Sequence, residues 1–399
     1  MFTLTADRVL PCTVTGSWPR PRWMDDSLWG RPLDTALLDL RFREKFTDAL
    51  AVLISDQERA GLDFLTHGDL HCDEDFAGRS WHHYPLQRWG GFEGDHLQSW
   101  QTRSPWLKYP PGTLLNEIYT GWRWPRVVDK IEYRPLDYPK LWRLAQARTR
   151  KPVRFGTCCT QVMGLFLDVH TPKYKDKREL LWDMACAMNR ELLALQAAGC
   201  RSIQVEEPCL HFMANTYGKD HEEVRFYLDC YNREVQGLDR SEVWIHTCWG
   251  NPNMQRVIED DSYAASLDMY MSEARGDVWT IETKDRDLRD VELLAPYMLR
   301  AGKKVCIGVV SHRRLQVERA DEVAATIRAA LQHVPPERLV ISTDCGFGRQ
   351  GCNREIAFFK SVAIAQGTNL VRRELGLPVS EVPAADPLLQ TDLVPDMPV

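Results

Sequence analysis

The feature that most constrains the fold of this chain is a series of short, nearly continuous apolar segments that end in polar residues. Such segments are typical of strands buried on both faces of a parallel sheet. Eight of them occur along the sequence, at 11–17, 61–69, 151–157, 201–207, 241–248, 277–283, 303–310 and 337–344. Because parallel strands need long crossover connections, this pattern predicts helices between them.

Segments with helical periodicity separate most of these predicted strands. They cover 35–60, 177–198, 287–300, 317–333 and 354–366, and glycines end the first two. The alternation predicts an α/β protein, a single (β/α)8 TIM barrel over residues 1–377. A doubly wound sheet is the alternative, but the first strand is not followed by the G-x-G-x-x-G motif of that class.

The connection between the second and third predicted strands is too long for a plain crossover. Residues 70–150 carry seven of the 14 tryptophans, namely Trp81, Trp89, Trp100, Trp106, Trp122, Trp124 and Trp142. We expect a tryptophan-rich insertion above the barrel, with a short β excursion and a helix near 138–149. Its rings either attach it to the barrel or line a pocket for a flat or apolar substrate. The proline-rich segment 378–399 predicts a flexible C-terminal tail.

Composition and charge argue against several classes of function. The net charge of −6 gives no support to nucleic-acid binding. The longest apolar runs are far shorter than the roughly 20 residues of a membrane helix, and Asp7 and Arg8 interrupt the position of a signal-peptide core. The 12 cysteines follow no compact spacing, so most are expected to be buried and a few to be metal ligands. We therefore expect a cytoplasmic protein that binds neither nucleic acid nor membranes; a homo-oligomer stays open.

Polar residues at the carboxyl ends of the strands indicate an active site, because barrel enzymes place their sites on that face. In VWIHTCWGN (243–251), strand alternation points His246 and Cys248 to the same side. Taken alone, such a pair is more often a buried core pair than a ligand pair. Glu282 and Cys345 follow later strands on the same rim. Thiolate, imidazole and carboxylate are the ligand types of zinc, so these four residues together predict a tetrahedral metal site.

Five segments resemble motifs of the catalytic barrel of the cobalamin-independent methionine synthases and, more broadly, of the superfamily that contains thiol alkyltransferases. They are TGSWPRP (15–21), IQVEEPCL (203–210), IHTCWGN (245–251), TIET (280–283) and STDCGFGR (342–349), in the family's order along the chain. The resemblance implies a zinc-dependent thiol methyl- or alkyltransferase, with Zn²⁺ held by His246, Cys248, Glu282 and Cys345. A zinc-bound substrate thiolate would then attack an electrophilic methyl or alkyl carbon, since zinc lowers the pKa of a thiol from about 8.5.

The resemblance also implies residues that bind the thiol substrate. Ser17 and the backbone of Gly16, together with Glu206 or Glu207, would hold its polar end, an ammonium group if the substrate is an amino acid. One of the two glutamates could instead only brace its loop. His67 lies on the same predicted rim and is assigned to the substrate site.

Four further rim residues receive catalytic or supporting roles. Asp69 occupies the position of an acidic residue on the rim of the family's second strand. His312 is a candidate general acid by its pKa, and Arg313 could take its place and act only electrostatically, because the register is uncertain by one position. Asp344, beside a predicted ligand, is expected to orient the ligand histidine.

One segment departs from the family pattern. The methionine synthases carry T-G-P-V-T and then a pterin-stacking tryptophan after the third strand, whereas this chain has GTCCTQVMGLF (156–166). We therefore expect methyltetrahydrofolate to be a poor donor. The partners would be a small-molecule thiol and a methyl or alkyl donor. The alternatives are alkyl transfer to another thiol, as in epoxide–coenzyme M transferases, demethylation of a small methylated compound, a metal-free lyase like uroporphyrinogen decarboxylase, and a non-catalytic zinc protein.

Overall fold

A parallel sheet of seven strands forms the centre of the computed structural model, which describes residues 2–72, 80–97, 108–258, 262–298, 302–349 and 351–386. The strands of these residues are β1 (Leu65–Thr66), β2 (Gly90–Leu97), β3 (Arg123–Glu132), β4 (Val153–Cys158), β5 (Asp168–Val169), β6 (Ser202–Glu206), β7 (Glu242–Thr247), β8 (Val278–Ile281), β9 (Lys304–Val310) and β10 (Leu339–Thr343). The seven strands follow the order β1-β4-β6-β7-β8-β9-β10, with every neighbouring pair parallel. Seven of the eight predicted segments thus contain a strand of this α/β sheet.

The remaining predicted strand, 11–17, contacts both edges of the sheet. Cys12 forms a parallel bridge with Ile341 of β10, and the backbone N–H of Thr13 donates to the Ile341 carbonyl at 2.9 Å. On the other side, the Cys12 carbonyl accepts from the N–H of Asp63, just before β1, at 2.9 Å. Regular pairing stops at Thr15, whose N–H donates to the hydroxyl of Thr343 instead of a backbone carbonyl.

Helices pack against the sheet, and side-chain caps explain where several begin. Asp39, Asp176 and Asn353 each accept a hydrogen bond from the first turn of the helix that follows. The helices of the described residues are α1 (Leu33–Leu38), α2 (Leu40–Arg59), α3 (His83–Leu86), α4 (Leu114–Thr120), α5 (Tyr138–Gln146), α6 (Thr160–Leu165), α7 (Lys177–Ala197), α8 (Cys209–Tyr217), α9 (Glu222–Glu234), α10 (Ala295–Met298), α11 (Ala320–Ala330) and α12 (Arg354–Glu374).

The prediction of a helix over 287–300 is largely wrong. Within the described residues 287–298, the one α-helix is the short α10, which follows a single 3₁₀ turn at Glu292–Leu294. Asp287 and Leu288 have φ values of 50° and 59°, a left-handed conformation that a right-handed helix cannot contain. Conversely, α8 and α9 follow β6 without having been predicted as helices.

The chain between β1 and β4 contains the predicted β excursion. β2 and β3 form an antiparallel pair, and β5 adds to β3 in parallel. The predicted helix near 138–149 is α5, Tyr138–Gln146. Four of the seven tryptophans are buried and Trp81 is half-buried; Trp100 and Trp106 lie outside the described residues.

The beginning of the predicted flexible tail is anchored to the body of the protein. The hydroxyl of Ser380 donates to Asp63 at 2.6 Å, and its backbone N–H donates to the side chain of Asn369 at 2.9 Å. The flexible tail over 378–399 stays a prediction, with these hydrogen bonds contacting its first residues. Among the helices of the described ranges, none has the length and apolar character required to cross a bilayer.

Candidate functional site

Three metal-capable side chains meet where β7 and β10 end. His246 is in β7, Cys248 follows the end of that strand, and Cys345 follows the end of β10. One ligand atom from each residue lies within 4.8 Å of the other two, and the two sulfur atoms are 3.6 Å apart. All three residues are buried, with 1%, 8% and 8% of their surface exposed. The alternation of β7 brings the imidazole and the first thiol to the same side, as the sequence predicts.

This arrangement fits a tetrahedral metal ion that prefers sulfur and nitrogen. Two thiolates on zinc, each about 2.3 Å from the metal, are about 3.8 Å apart in ideal geometry, close to the observed 3.6 Å. Glu206 of β6 hydrogen bonds with Nδ1 of His246, while Nε2 lies 3.3 Å from the backbone carbonyl oxygen of Asp344. A carboxylate on the second ring nitrogen is the usual support of a metal-binding histidine.

The same contacts favour charge separation within the cluster. Burial disfavours an imidazolium, but the Glu206 carboxylate and Cys345 together hold the pKa of His246 well above its usual value. The hydrogen bond with Cys248 and the nearby His246 hold the pKa of the Cys345 thiol well below its usual value. A thiolate is therefore favoured at Cys345, which is the form that binds metals.

Glu282, the fourth predicted ligand, lies beside this cluster but is outside the three-residue group. Its carboxylate pairs with Arg313, at 2.9 and 3.0 Å from the guanidinium, and accepts the N–H of Trp249 at 2.8 Å. Burial raises the pKa of Glu282, and the positive charge of Arg313 opposes that shift. Arg313 also donates to the carbonyl of Gly250 at 2.7 Å. The two predicted site residues thus neutralise each other in the structure.

Asp344 does not orient the ligand histidine through its side chain, contrary to the expectation from sequence. Its carboxylate accepts the backbone N–H groups of Thr283, Lys284 and Asp285 at 2.7–2.9 Å, so it braces the loop after β8. The carboxylate that meets the histidine is that of Glu206. Asp344 also forms a second metal-capable group with Asp285 and His312.

His312 is buried beside that loop. Neither of its ring nitrogens has a hydrogen-bond partner among the described residues. Burial, helped by the charge of Arg313, holds the pKa of His312 well below its usual value, so the ring is neutral at physiological pH. His312 is not among the residues that line the cavity described next.

A cavity of about 1070 Å³, counted out to its mouth, opens directly onto the three-residue cluster. Its polar end is formed by residues at the carboxyl ends of the strands, and its other walls are largely apolar. The polar end contains Gly16, Ser17, Asp69, Glu206, His246, Cys248 and Cys345. The walls include Trp81, His82, Tyr119, Trp122, Val162, Leu165, Phe166 and Phe212, with Arg349 at one side.

Two of the polar lining residues have unusual backbone or charge properties. Gly16 has a φ of 68°, the conformation in which glycine is favoured. Asp69 lies in the left-handed region as well, with a φ of 52°. Burial and the negative charge of Glu206 raise the pKa of Asp69 to about 7. This carboxyl group can therefore gain or lose a proton near neutral pH inside the cavity.

Two predicted substrate-binding residues are absent from the described lining of the cavity. The Glu207 carboxylate accepts the hydroxyl of Tyr270 at 2.8 Å and the first-turn N–H of Leu210 at 3.3 Å, so this residue braces α8. Burial raises the pKa of Glu207 to about 7. His67 hydrogen bonds with His71 at 3.2 Å and stacks on Phe155 with ring centroids 4.0 Å apart.

Several lining residues were missed by sequence reasoning, among them Arg349 and His82. Arg349 is the last residue of STDCGFGR, and its guanidinium contacts the Ser80 hydroxyl and lies 5.9 Å from the Trp81 ring centre. Its position in a motif could have indicated it. His82 lies in the insertion, in the sequence SWHHY (80–84). Neither periodicity nor a strand position in this segment predicts the direction of its side chains.

Comparisons with known proteins indicate the family to which the chain is similar. The family model described as "Cobalamin-independent synthase, Catalytic domain" matches residues 140–366. A methionine synthase of Saccharolobus solfataricus is 30% identical over 371 residues, covering 92% of this chain and 96% of that protein. A methionine synthase of Sulfurisphaera tokodaii is 26% identical over 368 residues, covering 92% and 94%.

A solved structure shares the fold. The B12-independent methionine synthase from Shewanella sp. W3-18-1, solved in complex with selenomethionine, superimposes with a TM-score of 0.71 at 22% sequence identity. The match covers 92% of this chain and 99% of that chain. The similarity therefore extends over the sheet, its helices and most of the connections.

Proposed function

This chain belongs to the cobalamin-independent methionine synthase family, and from that premise we propose that it is a zinc-dependent thiol methyltransferase. The observation that carries the proposal is the buried His246, Cys248 and Cys345 cluster at the polar end of the cavity. A soft ligand set of this kind is suited to zinc and is not needed by a metal-free lyase. Alkyl transfer to another thiol remains the nearest alternative.

In this proposal His246, Cys248 and Cys345 hold the zinc ion. Bound zinc would keep a substrate thiol as a reactive thiolate at neutral pH. Glu206 orients the ligand histidine through Nδ1. Glu282 is the fourth ligand or a close neighbour, and its ion pair with Arg313 keeps its charge balanced whenever it is not a ligand. Arg313 therefore acts electrostatically, which is the role that the sequence analysis gives it as the alternative to His312.

The polar end of the cavity is proposed to bind the thiol substrate and to handle its protons. Ser17 and the Gly16 backbone hold a polar group, and Glu206 supplies negative charge for an ammonium group. In the transfer step the thiolate sulfur forms a bond to the methyl carbon, and the carbon–donor bond breaks with its electron pair going to the leaving group. Asp69 is better suited than His312 to supply that group's proton, because it lines the cavity and titrates near neutrality.

Glu207 and His67 are proposed to be positioning residues. Glu207 fixes the loop that follows Glu206, and His67 positions the carboxylate of Asp69, whose Oδ1 lies 3.4 Å from its Nε2. We also propose that segment 11–17 completes a (β/α)8 barrel over residues 1–377, because it contacts both edges of the seven-stranded sheet. Residues 70–150 are then an insertion after the second barrel strand.

The proposal is tested by metal analysis of the purified protein followed by a methyl-transfer screen. Homocysteine, coenzyme M and glutathione serve as thiols, each with a set of methyl donors, and thiol loss is matched to product. We expect one zinc per chain and transfer to one of the thiols. A protein that binds no zinc, or that binds zinc and transfers nothing to any thiol, contradicts the proposal.

A further inference from the structure

The lining of the cavity away from the strand ends is largely aromatic, and most of its rings come from the insertion. We call Trp81, His82, Tyr119, Trp122, Phe166 and Phe212 the aromatic chamber. Among the described lining residues, the Asp and Glu side chains are both at the polar end, and Arg349 is the one Lys or Arg side chain. A ligand in the chamber therefore meets flat rings and a single positive charge, that of Arg349 beside Trp81.

Ring contacts within and behind the chamber hold its walls in place. His82 stacks on the buried Trp124 with ring centroids 4.4 Å apart and planes only 3° from parallel. Trp124 in turn packs on Phe166 at 4.5 Å. Tyr119 meets the edge of Trp122 at 4.7 Å. A wall braced on both sides is preorganised for a flat ligand, which lowers the entropy lost on binding.

His82 adds a buried imidazole nitrogen to the polar atoms of this wall, which also include the indole N–H groups of Trp81 and Trp122 and the hydroxyl of Tyr119. It is 1% exposed, and its Nε2 has no hydrogen-bond partner among the described residues. Burial, together with the nearby His83 and Arg349, holds the pKa of His82 well below its usual value. A buried polar atom without a partner is costly, and a ligand that hydrogen bonds with it removes that cost.

From these observations we infer that the aromatic chamber binds the leaving group of the methyl donor, and that this group is a flat, uncharged aromatic ring with a hydrogen-bonding heteroatom, as in an aryl methyl ether. The inference rests on the proposed function for the nature of the reaction. The thiolate sulfur bonds to the methyl carbon, the carbon–oxygen bond breaks, and its electron pair stays on the aryl oxygen. That oxygen takes up the proton that the thiol has lost, so thiol and ether give thioether and phenol without any oxidant or reductant.

The test uses phenol, which is the protonated leaving group, and toluene, which has nearly the same shape but no hydroxyl. Binding to the zinc-loaded protein is followed by calorimetry, which needs no turnover. We expect phenol to bind more tightly than toluene. His82→Phe keeps the stacked ring and removes the polar atom, so phenol binding should weaken roughly three- to tenfold while toluene binding is unchanged.

A second pair of variants tests the aromatic wall itself. Trp81→Leu should weaken binding of both probes by about fivefold or more, since stacking on an aromatic side chain is lost. The control Trp182→Leu changes a ring on α7 that is 42% exposed, and it should change neither affinity. Equal losses in both variants would show that the probes do not bind in the chamber and would overturn the inference.

Two further results decide the matter. Tetramethylammonium is the competing probe, and if it binds more tightly than phenol the chamber is a cation site and the inference is wrong. Should His82→Phe not fold, nitrogen-15 spectra of the wild-type imidazoles replace it, and phenol but not toluene must shift one buried neutral histidine. These binding measurements separate the two proposals. If phenol binds but the protein transfers no methyl group, the proposed function is wrong and this inference stands. If the protein transfers methyl groups from other donors but does not bind phenol, this inference is wrong and the proposed function stands.

Discussion

The two halves of the cavity are built in different ways. At the polar end, sheet register determines which side chains meet: Glu206 is paired with His246 across β6 and β7, and His246 with Thr280 across β7 and β8. The aromatic chamber comes mainly from the chain between β1 and β4, where ring-on-ring contacts take the place of register. We infer that the strand ends carry the reaction, while the insertion selects what reacts.

The largest expected effect is the loss of a metal ligand. Cys248→Ser or Cys345→Ser should remove the zinc and lower activity by about a thousandfold or more, because a metal supplies several kcal/mol of transition-state stabilisation. The melting temperature should change by only a few degrees, since the sheet core does not depend on the ligands. Zinc content, turnover and thermal unfolding are the measurements.

The matched control for those variants is Cys186→Ser, which changes a thiol on α7. It should keep its zinc and its activity. If both ligand variants retained full zinc occupancy, the polar end would not be the metal site. If they lost zinc and unfolded as well, the metal would be structural, as in a non-catalytic zinc protein.

The two adjacent glutamates allow a narrower comparison within the polar end. Glu206→Gln removes the carboxylate charge that contacts Nδ1 of His246. This change should reduce metal affinity or activity by about 10- to 100-fold. Glu207→Gln should leave metal affinity unchanged, because that carboxylate contacts Tyr270 and the start of α8. Zinc competition titrations on both proteins measure the contrast, and equal losses would mean that the two residues share one role.

The third prediction concerns the donor. Methyltetrahydrofolate should be at least about tenfold less effective than the best donor, because the family's stacking tryptophan is missing from 156–166 and a stacked ring contributes about 1–3 kcal/mol. Steady-state kcat/KM for each donor is the measurement. Efficient methylation of homocysteine from this folate would show that the protein is an ordinary methionine synthase. The aromatic chamber would then not select a different donor.

The smallest effect is expected at the outer wall of the chamber. Trp81→Ala should raise the KM for the donor about three- to tenfold through lost aromatic contact, with zinc content and melting temperature unchanged. Trp182→Ala on α7 is the control, since that ring is largely exposed. If the Trp81 variant had the same kinetics as the wild type, the insertion would have only a structural role and would not bind the donor.

The sequence predicts the strand ends well and the insertion poorly, for a physical reason. A buried parallel strand has an apolar signature, and its polar end must lie on one face of the sheet, so His246, Cys248 and Cys345 can be grouped without knowing any distance. The partner of Asp344 could not be predicted in this way, because it is a set of backbone N–H groups in a loop. His82 could not be predicted either, because irregular chain has no period that relates sequence position to direction.

X-ray absorption at the zinc edge tests the central claim most directly. The account predicts two sulfur ligands from Cys248 and Cys345 in the resting protein, and three when the thiol substrate is added. The same titration with a methylated thioether, which has no thiolate, should leave the count at two. A sulfur count that stays at two while the added thiol is being consumed would contradict the proposed zinc–thiolate chemistry.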